Sequence, residues 1–142
     1  MFLLNEYGFI RESADPLREL RGIINLHGYT FFLLLVVIIL PFCEELVFRS
    51  YLTWPRFFKQ KFLIDHFGWI FYASAVLFAL VHISNYPDEE INQFIPILIS
   101  PQFITGLFAG YLRVKFGLLW GFLFHALHNL FLLIVLIAFG GL

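Results

Sequence analysis

Charge, cysteine and any excess of basic residues are what this sequence has least of, and each shortage excludes a class of protein. Only 13% of the 142 residues are Asp, Glu, Lys or Arg, about half of the rough quarter that an ordinary globular chain carries. Nine basic and ten acidic side chains cannot cover a compact soluble domain of this size without large apolar patches. A net charge of -1 supplies no basic field, so nucleic acid is excluded as a partner. The lone Cys43 excludes a disulfide framework and a multi-cysteine metal site. Bulky Phe42 before it also argues against lipoprotein processing, which wants a small residue there. A cleaved secretory signal is not expected either, because the first long apolar run begins only near Tyr29, behind Arg11, Arg18 and Arg21. What is abundant points one way: 61% hydrophobic and 20% aromatic residues fit neither a disordered chain nor a coiled coil. The composition is that of an integral, multi-pass membrane protein with the lipid bilayer as its solvent.

The chain divides into a lead-in, residues 1–28, and a core, residues 29–142. In the lead-in, Asp15-Pro16 is a helix-start signal, and Leu17, Leu20, Ile24 and Leu26 then fall largely on one face. This reads as an interfacial helix, with Met1-Phe2-Leu3-Leu4 as the alternative tail of another span. Four apolar segments follow, approximately 29–52, 67–84, 91–112 and 117–139, each near the ~20 residues that cross a ~30 Å hydrocarbon core. Helices are the form such short spans take, because an open sheet would leave backbone groups unpaired in lipid. The predicted fold is therefore all-α, a polytopic transmembrane bundle of about four spans around a polar cavity. The first and third loops hold Arg56, Lys59, Lys61, Arg113 and Lys115, a modest excess that favours the cytoplasmic side for them. An acidic loop, Asp88-Glu89-Glu90, lies between the second and third spans. Gly106 with Gly110, and Gly117 with Gly121, form small-xxx-small steps that read as helix packing.

The chemistry sits where polar residues interrupt the apolar runs. Residues 31–42 are apolar throughout, and Glu44, Glu45 and Arg49 then appear within two turns. On an insertion scale, eleven apolar residues contribute roughly -3 to -7 kcal/mol, against about +7 to +10 kcal/mol for three charges at mid-depth. These charges must therefore face protein or a wet cavity, and such groups are functional by default. Glu45 and Arg49 share a face at i, i+4 and can pair; Glu44, rotated by about 100°, is the freer carboxylate. Pro41 can kink the helix just before them. The second span ends with His82, four after Phe78, and the fourth carries His125, His128 and Asn129. His125 and Asn129 stack on one face, with His128 displaced to its side as the second-ranked imidazole. A carboxylate and imidazole that orient and deprotonate water, with His and Asn donors for an oxyanion, make a hydrolytic set. Cys43 lacks an implied histidine partner and reads as packing.

These residues also carry a resemblance. Glu44-Glu45-Leu46-Val47-Phe48-Arg49 resembles the EExxxR motif, Phe78-Ala79-Leu80-Val81-His82 the FxxxH motif, and His125-Ala126-Leu127-His128-Asn129 the HxxxN motif of the CPBP intramembrane proteases. That group, also called ABI, contains type II CAAX prenyl proteases and bacteriocin-processing or immunity proteins. The similarity runs over roughly residues 40–140 and includes Gly117-Leu118-Leu119-Trp120. It implies an endopeptidase in which Glu44 and His82 activate water, Arg49 with Glu45 supports the site, and His125 with Asn129 binds the oxyanion. The implied substrates are membrane-associated proteins or peptides, including prenylated CAAX-type ones. The family is often labelled metalloprotease, and Glu44, His82 and His125 are the candidate ligands for zinc. No helical HExxH signature is present, and a glutamate-dependent, metal-free mechanism is the favoured expectation. Family members usually have more helices before the first motif. Two rival readings use the same cavity: a noncatalytic immunity or peptide-binding protein, and a proton or ion pathway.

Overall fold

In a computed structural model, residues 18–86 and 91–139 are described. The expected Asp15-Pro16 helix start and the acidic loop at 88–90 lie outside them. Every element among the described residues is helical. Helix α1 (Arg18–Leu34) is broken at Gly28, whose φ of 83° and ψ of 162° lie where glycine is nearly alone in being at ease. It continues through a π-helical turn (Leu35–Ile39) into α2 (Leu40–Arg49). A 3-10 turn (Ser50–Thr53), then α3 (Trp54–Phe58) and α4 (Lys61–Asp65), form the first connection. Helix α5 (Phe67–Val81) ends in a 3-10 turn (His82–Asn85); α6 (Ile95–Leu98), α7 (Ser100–Phe116) and α8 (Leu118–Ala138) complete the bundle.

Among the described residues, three stretches are long and apolar enough to cross a bilayer: Leu20–Thr53, Phe67–Asn85 and Leu118–Ala138. The segment expected over 91–112 starts later and is split, because prolines reset it twice. Pro96 opens α6 and Pro101 opens α7, each in the first turn, where its missing N–H costs nothing. The resulting α7 has 17 residues and packs between α5 and α8, the two most extensive helix contacts in the bundle. The described part of the lead-in packs on the core. Ile24 of α1 joins Phe32 and Leu133 in a buried cluster, so the lead-in helix docks against the last span.

The glycine steps play different parts. A Cβ at Gly106 would lie 3.2 Å from the Ala75 Cα, and one at Gly110 would lie 3.1 Å from the Phe71 ring, so both allow α7 and α5 to touch. Gly117 meets nothing within 4 Å and instead turns the chain from α7 into α8 at φ 102°. The outward faces are apolar, with Val47, Leu127 and Ile134 exposed, as a bundle that faces lipid requires. The inward faces bury what lipid would reject: Glu45, Arg49, Ser74, Thr105 and His125.

Candidate active site

The site begins at Pro41. Leu40 N–H reaches back five residues to Leu35 O, the bond pattern of a π turn. The next donor in that pattern would be Pro41, which has no N–H. Val36 O is bonded instead by Asn129 Nδ2 at 3.1 Å. The proline thus widens the first span one turn before the glutamates and lets a side chain from α8 enter the gap. At the other end of α2, Ser74 Oγ donates to Phe48 O at 2.6 Å and ties α5 to the turn that holds Arg49.

Between these two ties lies a chain of ionisable groups. Arg49 Nη1 donates to Glu45 Oε1, and both side chains are 0% exposed. His125 stands between the two glutamates, with Nδ1 3.3 Å from Glu45 Oε1 and Nε2 3.3 Å from Glu44 Oε2. A carboxylate paired with arginine only accepts, so His125 Nδ1 carries the hydrogen toward Glu45. Its Nε2 then meets another carboxylate oxygen, a contact that is attractive only with a proton between them. Glu44 Oε2 and His125 Nε2 are thus close enough to exchange a proton. Glu44 is 27% exposed and lines a cavity of about 560 Å³ with His82, Gln102, His125, His128 and Asn129.

Phe78 holds this arrangement together. The Arg49 guanidinium lies 4.3 Å from its ring centroid, the His125 ring meets it edge-on at 5.4 Å, and His82 tilts against it at 4.5 Å. An arginine over a desolvated aromatic face gains ~2 kcal/mol, which offsets part of the cost of burying it. His82 Nδ1 donates to Phe78 O at 2.7 Å, leaving Nε2 as its acceptor. His125 is the imidazole 3.3 Å from Glu44, and His82, expected to activate water together with Glu44, lines the same cavity wall. Asn129 also lines the cavity but spends one amide hydrogen on Val36 O.

His128 makes a separate pair. Thr105 Oγ1 donates to Pro101 O at 2.8 Å, so its oxygen accepts from His128 Nε2, 3.2 Å away. A hydroxyl has one hydrogen, and neutral His128 is thereby the Nε2–H tautomer. Thr105, Gln102 and the central part of Phe78 escaped the sequence reading. A lone hydroxyl beside Gly106 in an apolar run was the available signal for Thr105; nothing local marked Phe78 as a hub. Gly121 is a further site residue, since a Cβ there would lie 2.9 Å from Glu45 Oε2 and 3.2 Å from Ala109 O. For a metal, no group of three His, Cys, Asp or Glu side chains is gathered among the described residues. Glu44, His82 and His125 as arranged do not form a three-ligand set.

The fold and this site define an all-helical integral membrane protein with an acid–imidazole centre at the wall of a cavity. The family model for type II CAAX prenyl endopeptidase Rce1-like matches residues 26–131, well over half of the chain, and the chain belongs to that family. Membership makes it a protease-type enzyme whose substrates are, in general, membrane-associated peptides or proteins. No curated protein and no solved structure matches the chain significantly.

Proposed function

We propose that the protein is a multi-pass intramembrane endopeptidase that hydrolyses a peptide bond in membrane-associated proteins or peptides, including prenylated CAAX-type tails. The reading rests on one observation above all: His125 bridges Glu44 to the buried Glu45–Arg49 pair at the wall of the cavity. When the proton sits on His125 Nε2, Glu44 is an ionised base and the imidazolium is a donor. Glu44 then takes a proton from a water whose oxygen attacks the scissile carbonyl carbon. His82 Nε2 accepts the water's second hydrogen and orients it.

Charge develops on the carbonyl oxygen as Glu44 becomes protonated, which releases His125 Nε2–H to donate to it together with the second amide hydrogen of Asn129. Collapse breaks the C–N bond, and the proton held by Glu44 passes to the leaving amine. Water attacks directly, with no covalent intermediate, which suits a cavity wall whose serine, Ser84, donates its hydroxyl hydrogen to Val81 O. Glu45 and Arg49 act through His125: they set its tautomer and balance its charge. The apolar wall formed by Leu132, Leu133 and Leu136 suits a lipid-modified tail.

The test compares cells expressing the wild type with cells expressing Glu44→Ala at equal membrane abundance, by terminal-peptide proteomics, followed by cleavage of a candidate with purified protein. New termini present only with the wild type are expected. Wild-type turnover by Glu44→Ala would remove Glu44 from the role of base. A wild-type phenotype that persists in the mutant without any new terminus would favour a noncatalytic peptide-binding protein.

A further inference from the structure

One end of the bundle carries exposed tryptophans and cations that the cavity does not use. Helix register shows which residues share that end. Gly106 faces Ala75, and Gly110 faces Phe71 and Leu52, so α7 and α5 are antiparallel and the end of α7 lies beside the start of α5. Gly121 faces Ala109 and Arg113, which brings the start of α8 to the same level. The turn after α2 arrives there through Leu52. All three tryptophans of the chain lie within about two turns of this level, on three different elements. Trp54 is 48% exposed, Trp69 80% and Trp120 56%.

The same segments are basic. Residues 50–69 and 113–120 contain Arg56, Lys59, Lys61, Arg113 and Lys115 against a single acid, Asp65. Lys59, Lys61 and Lys115 are exposed. Lys115 Nζ donates to Tyr111 Oη at 2.8 Å, which leaves two of its three hydrogens for other acceptors. Lys59 is the one non-glycine residue with positive φ among those described, at φ 47° and ψ 29° just after α3. Glycine or asparagine takes that conformation at less cost, so the turn does not explain a lysine.

We infer that this collar is a binding surface for anionic phospholipid headgroups. Tryptophan rings prefer the depth where acyl chains meet headgroups, and lysine stems lie along apolar surface while their ammonium groups reach outward. A second copy of this chain is the poorer occupant, since a symmetric contact would set two like-charged collars against each other.

The assay uses the full chain in bilayers of phosphatidylcholine and phosphatidylglycerol, with one lipid brominated in its acyl chains, and reads tryptophan quenching. Because every tryptophan sits on the collar, the signal reports the lipids there. Each basic residue near an anionic surface contributes about fivefold in preference, the equivalent of ~1 kcal/mol. The wild type is expected to favour phosphatidylglycerol more than tenfold at low salt. The triple variant Lys59→Gln, Lys61→Gln, Lys115→Gln is expected to lose most of that preference, and the corresponding triple arginine variant to keep it. Lys59→Gly separates the two parts of the argument: it should lose about fivefold in preference while unfolding in phosphatidylcholine at the same temperature or higher. If the glutamine triple does not fold, Lys59→Gly alone decides. Equal quenching in the wild type, an unchanged preference in Lys59→Gly, or quenching by neither lipid would overturn the inference; the last would mean that protein covers the collar.

Discussion

Gly121→Ala tests whether helix packing and site geometry are one thing. The added methyl group would lie 2.9 Å from Glu45 Oε2, 3.2 Å from Ala109 O and 3.4 Å from Arg113 Cβ, against an ordinary contact of about 3.4–4.0 Å. Neither of the two closest atoms can yield. The carbonyl belongs to a helix backbone, and the carboxylate is held by Arg49 and His125. Helix α8 must therefore move outward by roughly half an ångström, which such overpacking makes destabilising by about 1–3 kcal/mol. Because His125 rides on α8 four residues further on, its Nδ1 and Nε2 contacts lengthen together. Misplacement near 1 Å costs about 100-fold in rate, so a loss of ~10-fold or more in kcat is expected, with a smaller change in KM. The measurements are thermal unfolding in detergent and cleavage of a prenylated CAAX-type peptide. Gly22→Ala is the control, because a Cβ there meets nothing within 4 Å and α1 gains the better helix former. Wild-type stability and turnover in Gly121→Ala would refute the claim that this glycine seats the last helix against the buried carboxylate.

Removing Arg49 alone, as Arg49→Met, should destabilise by about 3–5 kcal/mol, since it leaves Glu45 fully buried without its guanidinium and held only by His125 Nδ1; thermal unfolding reads this. Adding Glu45→Met to it should recover much of the stability without recovering activity, because the ion pair is gone but so is the partner of His125 Nδ1. Glu44→Gln should lower kcat by about 100-fold or more, the usual size of a general-base contribution, with an unfolding temperature within a few degrees of wild type because the group is partly exposed. Thr105→Val should free His128 from its fixed tautomer and change stability by about 1 kcal/mol through one lost buried hydrogen bond; unfolding and peptide turnover together show whether that pair serves the fold or the reaction.

The fold class was legible because the bilayer leaves few choices: composition alone called for helices, and the apolar runs located three of them closely. The third expected span was not, since hydropathy over 91–112 is indifferent to Pro96 and Pro101, which decide where a helix can restart. Within the site, helical spacing paired Glu45 with Arg49 correctly because both partners lie on one element. The partner of Glu44 could not be read that way. Choosing between His82 and His125 needs the relative rotation of α5 and α8, which is set by contacts such as Gly121 against Glu45 and Phe78 against His125. The same limit hid Phe78, whose role is to touch three other elements' side chains. Pro41 illustrates an intermediate case: a local signal announced a disturbed helix, but only the tertiary structure shows Asn129 filling it.

The burial of the site also bears on how the first span enters the membrane. Taken alone, its apolar run contributes roughly -3 to -7 kcal/mol against about +7 to +10 kcal/mol for Glu44, Glu45 and Arg49. The fold closes that deficit by supplying partners from other helices. Arg49 gains the Phe78 ring from α5, and both glutamates gain His125 from α8. Opposite charges set within hydrogen-bonding distance of one another cost far less to transfer than the same ions taken separately. The chemistry and the membrane integration of α2 then depend on the same contact. His125→Phe should accordingly do more than abolish turnover. It should leave α2 poorly seated, visible as raised accessibility of Cys43, exposed on the adjacent turn, to a membrane-impermeant thiol reagent. His82→Phe, which touches neither glutamate, should lose activity with Cys43 labelling unchanged. Equal labelling of wild type and His125→Phe would show that α2 inserts without help from the last helix, and the coupling of site to span would fail.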